Sequence, residues 1–183
     1  GLAACGYGGS ISMHTGFGSD TSSGSVSIST ANAGVEGVSG PIALRTGTSS
    51  EGNTGLFSLT TGNANEGTAG SVHVYVGTGN EGVGGHIDMY AGDTVQEDLT
   101  STGGHIYLES GFSSHTTSGR IDLTTANAGT EGVSGRILLA VGTASEGTSG
   151  LIAIETGSAC EGHGGPISIS VGSGDSGDGG GIT

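Results

Sequence analysis

Large apolar residues recur along this chain in pairs two residues apart, each pair led by a glycine. Take Gly9, Gly24, Gly40, Gly55, Gly70, Gly85, Gly104, Gly119, Gly135, Gly150, Gly165 and Gly180 as position 1 of successive repeats. Position 3 then reads Ile11, Val26, Ile42, Phe57, Val72, Ile87, Ile106, Ile121, Ile137, Ile152, Ile167 and Ile182. Position 5 is always Met, Ile, Leu or Val, from Met13 to Ile169. Position 7 is Thr, Val, Ser or Ala, while positions 2, 4 and 6 are mostly polar. Alternation with a period of two is the signature of a strand covered on one face. The glycine density and the lack of a 3.6-residue period speak against helix.

The leading glycines are 15 or 16 residues apart, except for one interval of 19 between Gly85 and Gly104. The order of intervals itself recurs, which gives a second period of 95 residues. Residues 31–40 read ANAGVEGVSG and residues 126–135 read ANAGTEGVSG. Repeats of this size point to a solenoid. The expected fold is all-β: a parallel β-solenoid of about 12 coils of ~15 residues, each rung rising ~4.8 Å on the last. A coil of ~30 residues, with odd and even repeats on opposite sheets, is the alternative. Position 10 is small throughout (Gly18, Ala33, Ser49, Ala64 and their successors), which predicts a small-residue wall facing the Ile/Leu/Val wall. The organisation expected is one array over 1–183, with internal blocks 9–103 and 104–183. Each rung would bury two large side chains, worth roughly 3–6 kcal/mol before the cost of ordering a glycine-rich chain.

Composition changes this picture in one respect, the charge. Of 183 residues, 42 are Gly, 17 are acidic, and the basic residues are Arg45, Arg120 and Arg136 alone, for a net charge of −14. Nucleic acid and anionic membranes call for a basic surface, so neither is an expected partner. The longest apolar run, Ile137 to Val141, is far short of a membrane span. Cys5 and Cys160 form no CxxC pair and no disulfide framework. Rungs apart in a solenoid, they are expected to be free or to bridge to another molecule.

Candidate chemistry sits at three places. The motif EGxxG recurs at Glu36, Glu51, Glu66, Glu81, Glu131, Glu146 and Glu161. In stacked rungs the carboxylates would stand about 5 Å apart and repel by roughly 0.8 kcal/mol per pair in water. Glu51, Glu66, Glu81, Glu146 and Glu161 are therefore candidate Ca²⁺ ligands, against the plainer reading of solvated turn carboxylates. Positions 9 and 11 form polar pairs: Thr48 with Ser50, Asn63 with Asn65, Thr78 with Asn80, and Thr143 with Ser145. In stacked rungs they would make a ladder for ice or another ligand, or else ordinary polar surface. Around the 19-residue repeat, His86 and His105 share position 2, Asp88 and Tyr107 share position 4, and Tyr75 and Tyr90 share position 6. With Glu97 and Asp98 in the insertion they form a candidate contact surface, weighed against cross-rung packing of rings.

In these features the chain resembles, as a class, Gly/Ser/Thr-rich β-solenoid (β-helix) repeat proteins of extracellular fibres, adhesins and ice-binding modules. The tail GSGDSGDGGG is similar to the Gly-Asp repeat of RTX-type calcium β-rolls, and that resemblance implies Asp175 and Asp178 as Ca²⁺ ligands. β-Helical polysaccharide lyases are similar at the level of fold alone. No GxSxG or HExxH motif and no lysine base occurs, so an enzyme is not expected. The stubs at 1–8 and 180–183 look like parts of one coil, an arrangement suited to head-to-tail stacking. The expectation is a structural, extracellular or cell-surface protein, assembling with itself head-to-tail or laterally into a filament, stalk or fibre, with glycan or matrix as further partners. An ice-binding solenoid and a Ca²⁺-dependent adhesion module are the alternatives.

Overall fold

The computed structural model describes residues 6, 8–95, 101–175 and 179–183. Among these residues there is no helix and no strand, and no side chain is buried. The expected all-β parallel solenoid, or β-helix, is therefore not formed, with ~15 or with ~30 residues per rung, and no Ile/Leu/Val wall faces a wall of small residues. The accessible surface is 18,729 Å². A folded 17.4 kDa monomer exposes about 7,900 Å² and its unfolded chain about 25,000 Å².

The physical reason lies in how few apolar groups each repeat carries. Two large side chains per ~15 residues is a thin core. Fixing the backbone costs about 1–2 kcal/mol per residue, and glycine loses the most freedom of any residue. The pattern states which side chains share a face; it does not supply enough apolar surface to hold successive repeats in a stack.

What the repeats do form is a local unit of one extended segment and one loop. The segment covers positions 1–7. Its polar side chains at positions two apart lie on one side and pair there: Ser12 Oγ with His14 Nε2 at 2.6 Å, Tyr107 Oη donating to Glu109 Oε2 at 3.0 Å, and Arg120 Nε to Asp122 Oδ2 at 2.9 Å. This is the geometry of extended backbone, in which residues i and i+2 face the same way. The period-2 alternation is thus realised within each segment, without a neighbouring strand to pair with.

The loop begins at position 8 and returns at the next leading glycine. Among the described residues, three such necks are closed by a backbone hydrogen bond. Gly24 N–H donates to Gly16 O at 3.1 Å, Gly104 N–H to Gly92 O at 2.9 Å, and Gly119 N–H to Gly111 O at 2.9 Å. The leading glycine lies against the position-7 side chain before it. A Cβ on Gly85 would come within 2.6 Å of Val76 Cγ1, and one on Gly104 within 3.3 Å of Ala91 Cβ. Close approach therefore calls for glycine at necks such as Gly24, Gly85, Gly104 and Gly119, while at Gly40, Gly55, Gly70, Gly135 and Gly150 a Cβ would make ordinary contact and at Gly165 none. The long repeat is no exception: Thr94 Oγ1 also donates to Thr102 O at 3.0 Å.

The loop tips bend at positions 11–13, where the Glu-Gly pairs lie. Gly82 and Gly147, directly after Glu81 and Glu146, have φ of 75° and 99°, a region side-chain-bearing residues seldom enter. The bend folds back over position 10, so that a Cβ on Gly132 would meet Ala128 Cβ at 3.5 Å and one on Gly162 would meet Ala159 Cβ at 3.7 Å. At Gly18 it would meet the carbonyl oxygens of Thr21 and Ser22 at 2.6 and 2.8 Å. At Gly18 the turn leaves no room for a side chain, while Ala33, Ala64, Ala128, Ala144 and Ala159 at the same position are exposed and face no apolar wall.

The 95-residue period appears in the geometry as well. The Gly24–Gly16 and Gly119–Gly111 necks are equivalent under it. So are the turns in which Gly37 N–H donates to Gly34 O at 3.3 Å and Gly132 N–H to Gly129 O at 3.4 Å. Residue contacts divide the chain between Asp88 and Met89 into two units, each built of these segment-and-loop repeats.

Candidate functional site

The feature that recurs in every repeat is the apolar ladder. Positions 3, 5 and 7 lie on one side of each extended segment, opposite the polar pairs. From Val26 to Ile167, the position-3 residues are 47–59% exposed, less than the loop residues Phe17 at 92% and Val133 at 97%. The position-5 residues are 62–71% exposed, so no ladder side chain is buried. Each segment therefore presents a short row of half-covered aliphatic side chains, and the next segment presents the same row at the same positions.

The turn glutamates Glu51, Glu66, Glu81, Glu146 and Glu161 stand at the tips of successive loops, where the backbone bends. The Glu-Gly turns read from the sequence are thus bends in the structure. The expected stack of carboxylates needed coiled rungs and is not assembled. Among the described residues, no three His, Cys, Asp or Glu side chains converge to hold a metal ion. Asp175 is exposed at a bend, and Asp178 lies outside the described residues.

The expected polar ladder of positions 9 and 11 is not assembled either, for the same reason. Thr48 and Ser50 lie on one loop, Asn63 and Asn65 on the next, and Thr78 and Asn80 on a third; Thr143 and Ser145 lie on a fourth. All eight side chains are exposed. Their loops are separate, with necks at Gly55, Gly70, Gly85 and Gly150. A flat face that lines up Ser50, Asn65, Asn80 and Ser145 needs stacked strands, and these residues sit on loops instead of on the extended segments.

Around the long repeat, Tyr75, His86 and Asp88 belong to the first unit, and Tyr90, His105 and Tyr107 to the second. Glu97 and Asp98 lie outside the described residues, as does Cys5, while Cys160 is a free, exposed thiol. The pairing that does occur is within single segments. His73 stacks on Tyr75, ring centroids 5.6 Å apart and planes 14° apart, with Tyr75 Oη 3.2 Å from His73 Nδ1. Tyr107 turns to Glu109 rather than to a neighbouring repeat. Sequence reasoning that looked across rungs missed both pairs, although positions 4 and 6 of one segment face the same way and would have revealed them.

Among the described residues no pocket opens, and no helix is long and apolar enough to cross a membrane. No family model, curated protein or solved structure matches this chain.

Proposed function

We propose that this chain is a structural repeat protein that associates laterally with copies of itself, its extended segments meeting through the apolar residues of positions 3, 5 and 7. The observation that carries the reading is the ladder: apolar side chains at the same positions of successive repeats, none of them buried among the described residues. A second copy offers the same spacing of apolar rows, so that one match brings further matches every 15 or 16 residues, with one interval of 19. The surface exposed beyond that of a folded monomer is roughly 11,000 Å², several times the ~1,600 Å² that a stable protein interface buries.

The product of such association is a filament, stalk or fibre. Head-to-tail joining draws on stacked coil ends, and lateral joining needs only the exposed ladder, which favours the lateral mode. Placement outside the cell or on its surface rests on the acidic, lysine-free composition.

Sedimentation velocity over a wide concentration series tests the reading. The expected result is a monomer at low concentration and growing oligomers above a threshold. A single monomeric species at every concentration and ionic strength would refute it.

A further inference from the structure

We infer that this self-association, if the lateral reading above holds, is gated by ionic strength: dispersed in dilute salt and assembled when the turn charges are screened. The inference rests on where the two kinds of residue fall in the repeat. The apolar ladder occupies the extended segments, and most acidic residues lie in the loops, with Asp88, Glu109, Asp122 and Glu155 on the segments at positions 4 and 6. Asp20, Glu51, Glu66, Glu81, Glu146 and Glu161 all stand at position 12. Glu36 and Glu131 stand one residue later, in the 16-residue repeats.

This placement couples attraction to repulsion. Two copies aligned so that their ladders meet also bring turn carboxylate beside turn carboxylate. Sliding one copy by 95 residues, or by one repeat where 15-residue intervals meet, restores the ladder match and restores the charge clash with it. A half-repeat slide would relieve the clash but would set polar loop against apolar segment. No register satisfies the ladder and avoids the charges.

Nothing in the sequence offsets this charge. There is no lysine, and the net charge is −14. Of the three arginines, Arg120 is held by Asp122 on its own segment, at 2.9 Å. Arg45 and Arg136 lie at positions 6 and 2 of the segments, away from the loop tips. The carboxylates of apposed copies must therefore be screened from solution. The screening length falls from about 30 Å at 0.01 M salt to about 10 Å at 0.1 M and about 3 Å at 1 M. Carboxylates that repel across neighbouring loops in dilute salt thus cease to do so within the range of ordinary buffers.

The test is sedimentation velocity of the full chain at neutral pH, in sodium chloride from about 10 mM to about 500 mM. The expected result is an association threshold at least tenfold lower at the high-salt end. A variant with Glu36, Glu51, Glu66, Glu81, Glu131, Glu146 and Glu161 all changed to Gln should associate in dilute salt and show less than a threefold change across the series. That variant separates screening of these charges from general salting-out, which would act on both proteins alike. A threshold independent of salt, or a Gln variant as salt-dependent as the parent, overturns the gating and leaves self-association standing. A parent chain that stays monomeric throughout overturns both.

Discussion

Replacing Ile121 and Leu123 with serine removes the ladder from one repeat without altering charge. Ile121 is 52% exposed and Leu123 65% exposed. Full burial of such a side chain is worth about 1.5–3 kcal/mol. The part still in water is therefore worth about 0.8–1.6 kcal/mol for Ile121 and about 1–2 kcal/mol for Leu123, if association covers them completely. Together that is about 2–3.5 kcal/mol per copy, a rise of roughly 20- to 300-fold in the association threshold at about 1.4 kcal/mol per tenfold. The monomer itself should be unaffected, because neither side chain is buried in it. Far-ultraviolet circular dichroism and hydrodynamic radius at low concentration should therefore match the parent. The assay is a light-scattering titration of threshold concentration at about 0.5 M salt. Val133→Ser is the control: this valine is as apolar but lies on a loop, outside the ladder, and its loss should move the threshold by less than twofold. An unchanged threshold in the double variant, or an equal shift in Val133→Ser, would refute the ladder as the contact surface.

Hydrogen exchange on the dilute monomer should find most described amides exchanging freely, with measurable protection at Gly24, Gly104 and Gly119, whose N–H groups close the loop necks. Gly18→Ala places a Cβ against two carbonyl oxygens at 2.6 and 2.8 Å, an overpacking cost of about 1–3 kcal/mol. It should abolish protection at Gly24 while leaving Gly119, its equivalent 95 residues on, as in the parent; loss at both would show that the loops are not independent. Addition of a chelator to dilute monomer prepared with micromolar Ca²⁺ should leave the hydrodynamic radius unchanged, since no three acidic or His side chains converge among the described residues. A measurable expansion would restore the turn glutamates as ligands.

The repeat, its 95-residue period, the alternation of faces and the bends at the Glu-Gly pairs were legible in the sequence because each is a local matter. Whether Ile121 and Leu123 share a side, or Gly147 follows a bend, depends on a few consecutive residues and their steric preferences. The meaning of the small residue at position 10 was not legible. A column of Gly, Ala and Ser fits a wall facing an apolar core and fits equally a residue beneath its own turn. In the structure no such wall forms, and Ala128 and Ala159 are exposed beside their own bends. The stacking of His73 on Tyr75 escaped for a related reason: repeats read as rungs direct attention between segments, and the contact is within one.

The sequence by itself determined the unit: an extended segment of alternating faces, a loop necked by glycine, a carboxylate at the tip, and their repetition. Only the tertiary structure decided that the repeats form no strands and no buried core among the described residues. That outcome depends on a balance no local pattern records, two large apolar side chains per repeat against the entropy of fixing ~15 residues, many of them glycine. Within the chain the entropy wins, and the ladder the sequence marked for a core remains on the surface.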